Sequence, residues 1–151
     1  MTQPPAARHL RLFTDGAARG NPGPAGLGVV IEDADGMRLQ GQCRYIGETT
    51  NNQAEYFALI QGLETALAWQ PERLDVYLDS KLVAEQLAGA YRVKHKLLEP
   101  LHRRAKELLA RFPQVSVGHV ERERNRGADA LANKAIDDWQ AAHGRATKRR
   151  R

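Results

Sequence analysis

Cysteine is nearly absent. The lone Cys43 among 151 residues excludes an internal disulfide framework, and as a free thiol it is expected to pack inside the fold. No stretch approaches the roughly 20 apolar residues that cross a bilayer, and no charged-then-apolar leader opens the chain. These absences give a reading of a cytoplasmic protein that does not enter membranes. No internal repeat and no linker divides the chain, and its length is that of one ordinary domain able to bury its own core. The organisation expected is a flexible start over 1–7, one domain over 8–143 and a basic disordered tail over 144–151. Nothing in the chain announces an oligomer, and a monomer is the default.

Acid is the minority charge: 23 Lys and Arg stand against 18 Asp and Glu, a formal +5. Such a balance suits polyanions, with nucleic acid the commonest of them. The cations cluster at Arg92, Lys94 and Lys96, at Arg103, Arg104 and Lys106, at Arg122, Arg124 and Arg126, and in the tail from Arg145 to Arg151.

The alternation His9 to Thr14 reads as a strand that delivers Asp15 at its end, before a turn-rich Gly16 to Gly26. Leu27 to Glu32 and Met37 to Tyr45 read as two further strands joined at Asp35-Gly36, a hairpin signal. Thr49 to Asn52 offer caps for a helix running to Pro71, with Glu55 in its first turns. Leu74 to Leu78 is a short buried strand ending in Asp79, and Ser80 opens another helix. A helix from about Leu97 to Phe112, a strand from Val115 to Val120, a turn at Asn125 to Gly127 and a last helix carrying Asp129 toward His143-Gly144 complete the pattern. The fold class is α/β: a mixed five-stranded sheet, three antiparallel strands followed by two parallel ones, with helices on both faces.

Taken singly, Asp15 and Asp79 are ordinary turn formers, and Glu55 and Asp129 ordinary helix-dipole partners. Jointly they are acids at the junctions of apolar runs with turns or helix starts, where a sheet rim can gather them. Clustered carboxylates repel unless cations neutralise them, so the pattern points to a divalent-metal site.

The blocks Thr14-Asp15-Gly16 with Gly20-Asn21-Pro22-Gly23-Pro24, then Thr50-Asn51-Asn52-Gln53-Ala54-Glu55, then Leu78-Asp79-Ser80, then Asn125 with Ala128-Asp129 and Leu131-Ala132, resemble those of the ribonuclease H type 1 family, in the family's order. The resemblance covers about residues 8 to 140. It implies a ribonuclease H-like fold and an endonuclease that cuts the RNA strand of an RNA/DNA hybrid, leaving 5′-phosphate and 3′-hydroxyl ends. It also implies two Mg2+ or Mn2+ ions held by Asp15, Glu55, Asp79 and Asp129. The chemistry agrees, since two cations about 4 Å apart can activate water and stabilise both the phosphorus-centred charge and the leaving oxygen.

The resemblance places Asn21, Asn51, Asn52 and Gln53 along the substrate's minor groove or near the scissile phosphate. Amides donate and accept, which suits a 2′-hydroxyl. Thr50 is implied to touch a DNA-strand phosphate, although it is equally a helix cap, and Ser80, Lys81 and Asn125 are assigned to the same substrate face. Lys81 stands where several relatives carry Gln. Between Ser80 and Leu97 the chain lacks the basic helix and loop of well-known bacterial members and resembles the shorter archaeal-like branch. Grip on substrate is then expected from residues 89–96, from the loop around Arg122 or from the tail. His119, ten positions before Asp129, and Arg122 compete for an assisting role in proton transfer or leaving-group stabilisation. His9, His95, His102 and His143 read as surface residues. Double-stranded RNA stays open as an additional substrate, and a non-catalytic nucleic-acid-binding module on the same fold is the alternative.

Overall fold

The computed structural model describes residues 9–89 and 92–149, with side chains through residue 143. The segment expected to be a flexible start, and the tail side chains expected to act as a basic tether, lie outside the described set.

Five strands, β1 (His9–Ala18), β2 (Gly23–Asp33), β3 (Arg38–Thr49), β4 (Arg73–Leu78) and β5 (Gln114–His119), form one sheet in the order β3-β2-β1-β4-β5. The first three pair antiparallel, while β4 joins β1 and β5 joins β4 in parallel. The mixed sheet expected from the residues is the one observed. Helices are α1 (Asn51–Trp69), α2 (Lys81–Ala88), α3 (Glu99–Leu109) and α4 (Arg126–Arg149), with a 3-10 turn at Arg122–Asn125 leading into α4.

Alternation along the strands sends Leu10, Leu12, Leu74, Val76 and Leu78 into one core with Tyr56, Leu59 and Leu63 of α1, Val83 and Leu87 of α2, and Ala105 and Leu108 of α3. The opposite sheet face holds α4, whose Ala128, Ala132 and Ile136 are buried. The approach there is close because β2 offers glycine: a Cβ on Gly28 would lie 2.0 Å from the Ala128 carbonyl oxygen. Without that approach, α4 could not lay its first turn, and Asp129 with it, over the sheet rim.

Several boundaries differ from the sequence reading. β2 begins at Gly23 and β3 continues to Thr49, because a register shift between Ala25 and Gly26 absorbs an extra residue and lets the ladder run on. The 3-10 turn with the start of α4 replaces the expected turn at Asn125 to Gly127. The backbone of α4 is helical to Arg149, past the expected end at His143-Gly144. Cys43 is exposed: β3 is an edge strand, so packing does not claim that position. His9 is only half exposed and its Nε2 meets Asp75 Oδ2 at 2.8 Å.

Candidate active site

The parallel pairing of β1 with β4 puts Thr14 opposite Leu78. The next residue on each strand is therefore an acid at the same rim, Asp15 beside Asp79. Neighbouring strands are about 4.8 Å apart, so the two carboxyl groups share one small region.

Glu55 arrives from α1. Thr50 caps that helix by accepting from the Gln53 N–H at 3.2 Å, and Gln53 Oε1 reaches back to accept from the Thr50 N–H at 3.3 Å, a capping box. The first turns then press on the end of β1, where a Cβ on Gly16 would lie 2.1 Å from the Ala54 carbonyl. Only glycine permits this approach, and it lets the Gly16 N–H donate to Glu55 Oε1 at 2.6 Å. Asp15, Glu55 and Asp79 each present an oxygen within 4.8 Å of the other two.

Burial, reinforced by Glu55, Asp79 and Asp129 around it, pushes the Asp15 carboxyl up to about 11. Burial also raises Glu55, to about 7, against hydrogen bonds from Asp15 and the Gly16 N–H and the positive charge of Arg122. Without cations the cluster holds protons to relieve its own repulsion. A hard oxygen donor set that proteins normally neutralise with divalent ions fits Mg2+ or Mn2+ well.

Asp129 enters from the other face, in the first turn of α4. Its carboxyl group helps to hold the Asp15 carboxyl up, and its Oδ1 accepts from Asn133 Nδ2 at 3.3 Å. It lies outside the three-oxygen set while bordering it.

Asn125 corrects the sequence reading. It is 1% exposed and faces inward, its Nδ2 donating to the Thr14 carbonyl at 3.0 Å and to Asp79 Oδ2 at 3.2 Å. The 3-10 turn tucks it behind the acids, so it braces the ends of β1 and β4 and has no face toward a substrate. Its Oδ1 is buried without a protein partner among the described residues.

The other amides divide. Asn52 is exposed at the start of α1. Asn51 and Asn21 bind each other's segments: Asn21 Oδ1 accepts from the Asn51 N–H, and Asn51 Oδ1 from the Ala18 N–H, both at 3.0 Å. Gln53 Oε1 is committed to Thr49 and Thr50. Ser80 caps α2 through the Val83 N–H at 3.2 Å, and Lys81 is exposed beside it. His119 is exposed on β5 opposite Leu78, with no hydrogen bond or ion pair among the described residues, whereas the charge of Arg122 reaches Glu55.

A groove of about 510 Å³ at the end of α2 is lined by Arg92, His102, Arg103 and Lys106, with Glu99 its only acid. Lys106 Nζ and His102 Nε2 are spent on carbonyls of Leu87 and Gln86. Arg92 and Arg103 make no ion pair or hydrogen bond among the described residues.

A family described as "Reverse transcriptase-like" matches residues 13–135. Ribonuclease HI of Halobacterium salinarum is 44% identical over 138 residues, covering 91% of this chain and 69% of that protein. Bifunctional protein Rv2228c of Mycobacterium tuberculosis is 44% identical over 127 residues, 83% of this chain but only 35% of that protein. The crystal structure of RNase H1 from Halobacterium salinarum superposes with a TM-score of 0.84 at 45% identity, over 86% of this chain and 98% of that one. LC11-RNase H1, solved in complex with RNA/DNA hybrid, gives 0.81 at 42% identity, over 85% and 97%. With this likeness across nearly the whole fold and the acids gathered at the rim of its sheet, the chain belongs to the ribonuclease H type 1 family.

Proposed function

We propose that the protein is an endonuclease hydrolysing the RNA strand of RNA/DNA hybrids, with divalent cations held by Asp15, Glu55, Asp79 and Asp129. The observation that carries this reading is the convergence of Asp15, Glu55 and Asp79, from two strands and a helix, on one region where their oxygens lie within 4.8 Å of one another. When bound, Mg2+ or Mn2+, two per site, would supply an activated water and offset charge on the phosphate and the departing 3′-oxygen.

The chain's own residues prepare the site. The Gly16 N–H holds one oxygen of Glu55, and Asn125 holds one of Asp79. Asn21, Asn51, Asn52 and Gln53 surround the start of α1, where exposed amide edges suit a 2′-hydroxyl. Arg122, whose charge reaches Glu55, is the cation placed to meet a phosphate there, and His119, opposite Leu78 and so next to the strand end that carries Asp79, is the candidate for proton transfer. Arg92 and Arg103 supply free guanidinium groups for the backbone farther out, a sequence-independent grip. No described helix is long and apolar enough to cross a membrane.

The test presents one labelled sequence as RNA/DNA, RNA/RNA, DNA/DNA and single-stranded RNA, with magnesium, manganese or chelator. Cutting confined to the hybrid and abolished by chelator supports the reading. Cutting of RNA/RNA as well would widen the substrate range, and binding without cutting under every metal would favour a non-catalytic module.

A further inference from the structure

Arg19 lies in the turn after β1, two residues before Asn21, and its side chain reaches one face of α4. Nη1 donates to Gln140 Oε1 at 2.8 Å, and Nη2 pairs with Asp137 Oδ1 at 2.7 Å. Nη2 also donates to Asn133 Oδ1 at 3.2 Å and to the Asn133 carbonyl at 3.4 Å. Asn133 in turn donates from Nδ2 to the Asp129 carboxylate at 3.3 Å and to the Asp129 carbonyl at 3.0 Å.

Donor and acceptor chemistry makes this chain directional. An amide can turn over, exchanging its oxygen and its NH2, but guanidinium has only donors. With Arg19 in place, the Asn133 oxygen must face the arginine and the NH2 must face Asp129. Without it, the turned amide would set an oxygen against the carboxylate.

We propose that Arg19 is a positioning residue for Asp129, acting through Asn133 by fixing which edge of that amide the carboxylate meets. The proposal rests on the reading of Asp129 as a metal ligand. It also joins two parts of the site. The same turn is tied to α1, through Asn21 Oδ1 with the Asn51 N–H and through Asn51 Oδ1 with the Ala18 N–H. The segment expected to read substrate and the acid of α4 therefore share one support.

The experiment uses the full chain and three readouts: Mn2+ affinity by titration calorimetry without substrate, the melting temperature in chelator, and kcat and KM on hybrid. Groups supporting a metal ligand typically change affinity by about 10–100-fold. Arg19→Ala and Asn133→Ala are each expected to weaken Mn2+ binding about tenfold, with the double variant no worse than the worse single one. Asn133→Asp keeps a partner for Arg19 but removes the donor to Asp129, and it is expected to lose as much. Arg19→Lys, which retains a donor, recovers part of the loss. A lowered melting temperature with unchanged Mn2+ affinity would show that Arg19 only pins the turn to α4, and would overturn the proposal. So would weaker hybrid binding in chelator with unchanged Mn2+ affinity, which would make Arg19 a phosphate ligand. If the parent protein neither bound Mn2+ nor cut hybrid, the proposed function would fall and this inference with it. If it did both while the variants matched it, only the inference would fall.

Discussion

At the scale of single residues, the site trades stability for function. Asp15 and Glu55 are both raised, by burial first and further by the neighbouring Asp79 carboxylate, and a group whose folded pKa lies above its unfolded value gives stability that is whole below the unfolded value and is lost as pH rises to the folded one. In chelator that contribution is whole below about pH 4 and shrinks as pH rises toward the folded values of about 7 for Glu55 and about 11 for Asp15, so at neutral pH the buried acids cost the fold stability. Asp15→Asn removes one of them and is expected to raise the melting temperature in chelator, by about 2–4 °C for each kcal/mol of repulsion relieved in a chain of this size. The same variant should lose both hybrid cleavage and the upward shift in melting temperature that Mg2+ gives the parent protein. A variant less stable in chelator than its parent would mean that the buried acids do not cost the fold stability. The acids are legible in the sequence because each ends an apolar run or opens a helix. The bracing role of Asn125 is not, since nothing in one dimension says whether an asparagine beside a turn looks out toward solvent or in toward the acids.

At the scale of elements, what sets the acids' geometry is how closely helices approach the sheet. Gly16→Ala would drive a Cβ to 2.1 Å from the Ala54 carbonyl, so the first turn of α1 has to retreat and take Glu55 with it. Overpacking of this kind costs about 1–3 kcal/mol. Urea unfolding is expected to show that loss, and Mn2+ titration a weakened site; a variant with parental stability and affinity would mean that α1 is not held there. A second cluster ties the other ends of β1, β4 and β5 together. Asp75 is 6% exposed; burial alone would raise it, but hydrogen bonds from His9, Ser116 and Arg73 prevail and hold it below its ordinary 3.8. The folded state thus binds fewer protons than the unfolded one near that pH, so the contribution is whole above about pH 4 and is lost as pH falls through the folded value. Asp75→Asn is expected to cost about 1–3 kcal/mol at pH 7, with the gap from the parent closing toward pH 3. A gap independent of pH would assign the loss to packing. Element identities are readable from periodicity, but the lengths of β2 and β3 are not, because the register shift beside Gly26 depends on how two strands pair. Cys43 departs from expectation for a related reason: a free thiol is usually buried, but edge-strand position decides, and strand order is a property of the sheet.

At the scale of the whole molecule, a net charge of +5 coexists with an acidic site, and the cations have to draw phosphates toward that site. Arg92 and Arg103 border the groove at the end of α2, and α2 begins directly after Asp79 and Ser80. A helix of eight residues spans about 12 Å, so this groove lies within a few nucleotides of the acids. Replacing both arginines with alanine is expected to weaken hybrid binding most at low salt and to lower the slope of log affinity against log salt by about one for each phosphate no longer gripped. An unchanged slope would move the grip to the tail, where deletion of residues 145–151 should then flatten it.

If Asp15, Glu55, Asp79 and Asp129 form a metal-dependent site that cuts only the RNA strand, cleavage depends on the cation, on each acid and on which strand is RNA. The decisive experiment is single-turnover cleavage of a hybrid carrying a different label on each strand, for the parent protein and Asp79→Asn, with Mg2+ and with chelator. RNA-strand cutting is expected from the parent in Mg2+ alone, with 5′-phosphate and 3′-hydroxyl ends, and none from the variant. Cutting of the DNA strand, cutting in chelator, or an Asp79→Asn variant as fast as its parent would refute the metal-dependent ribonuclease.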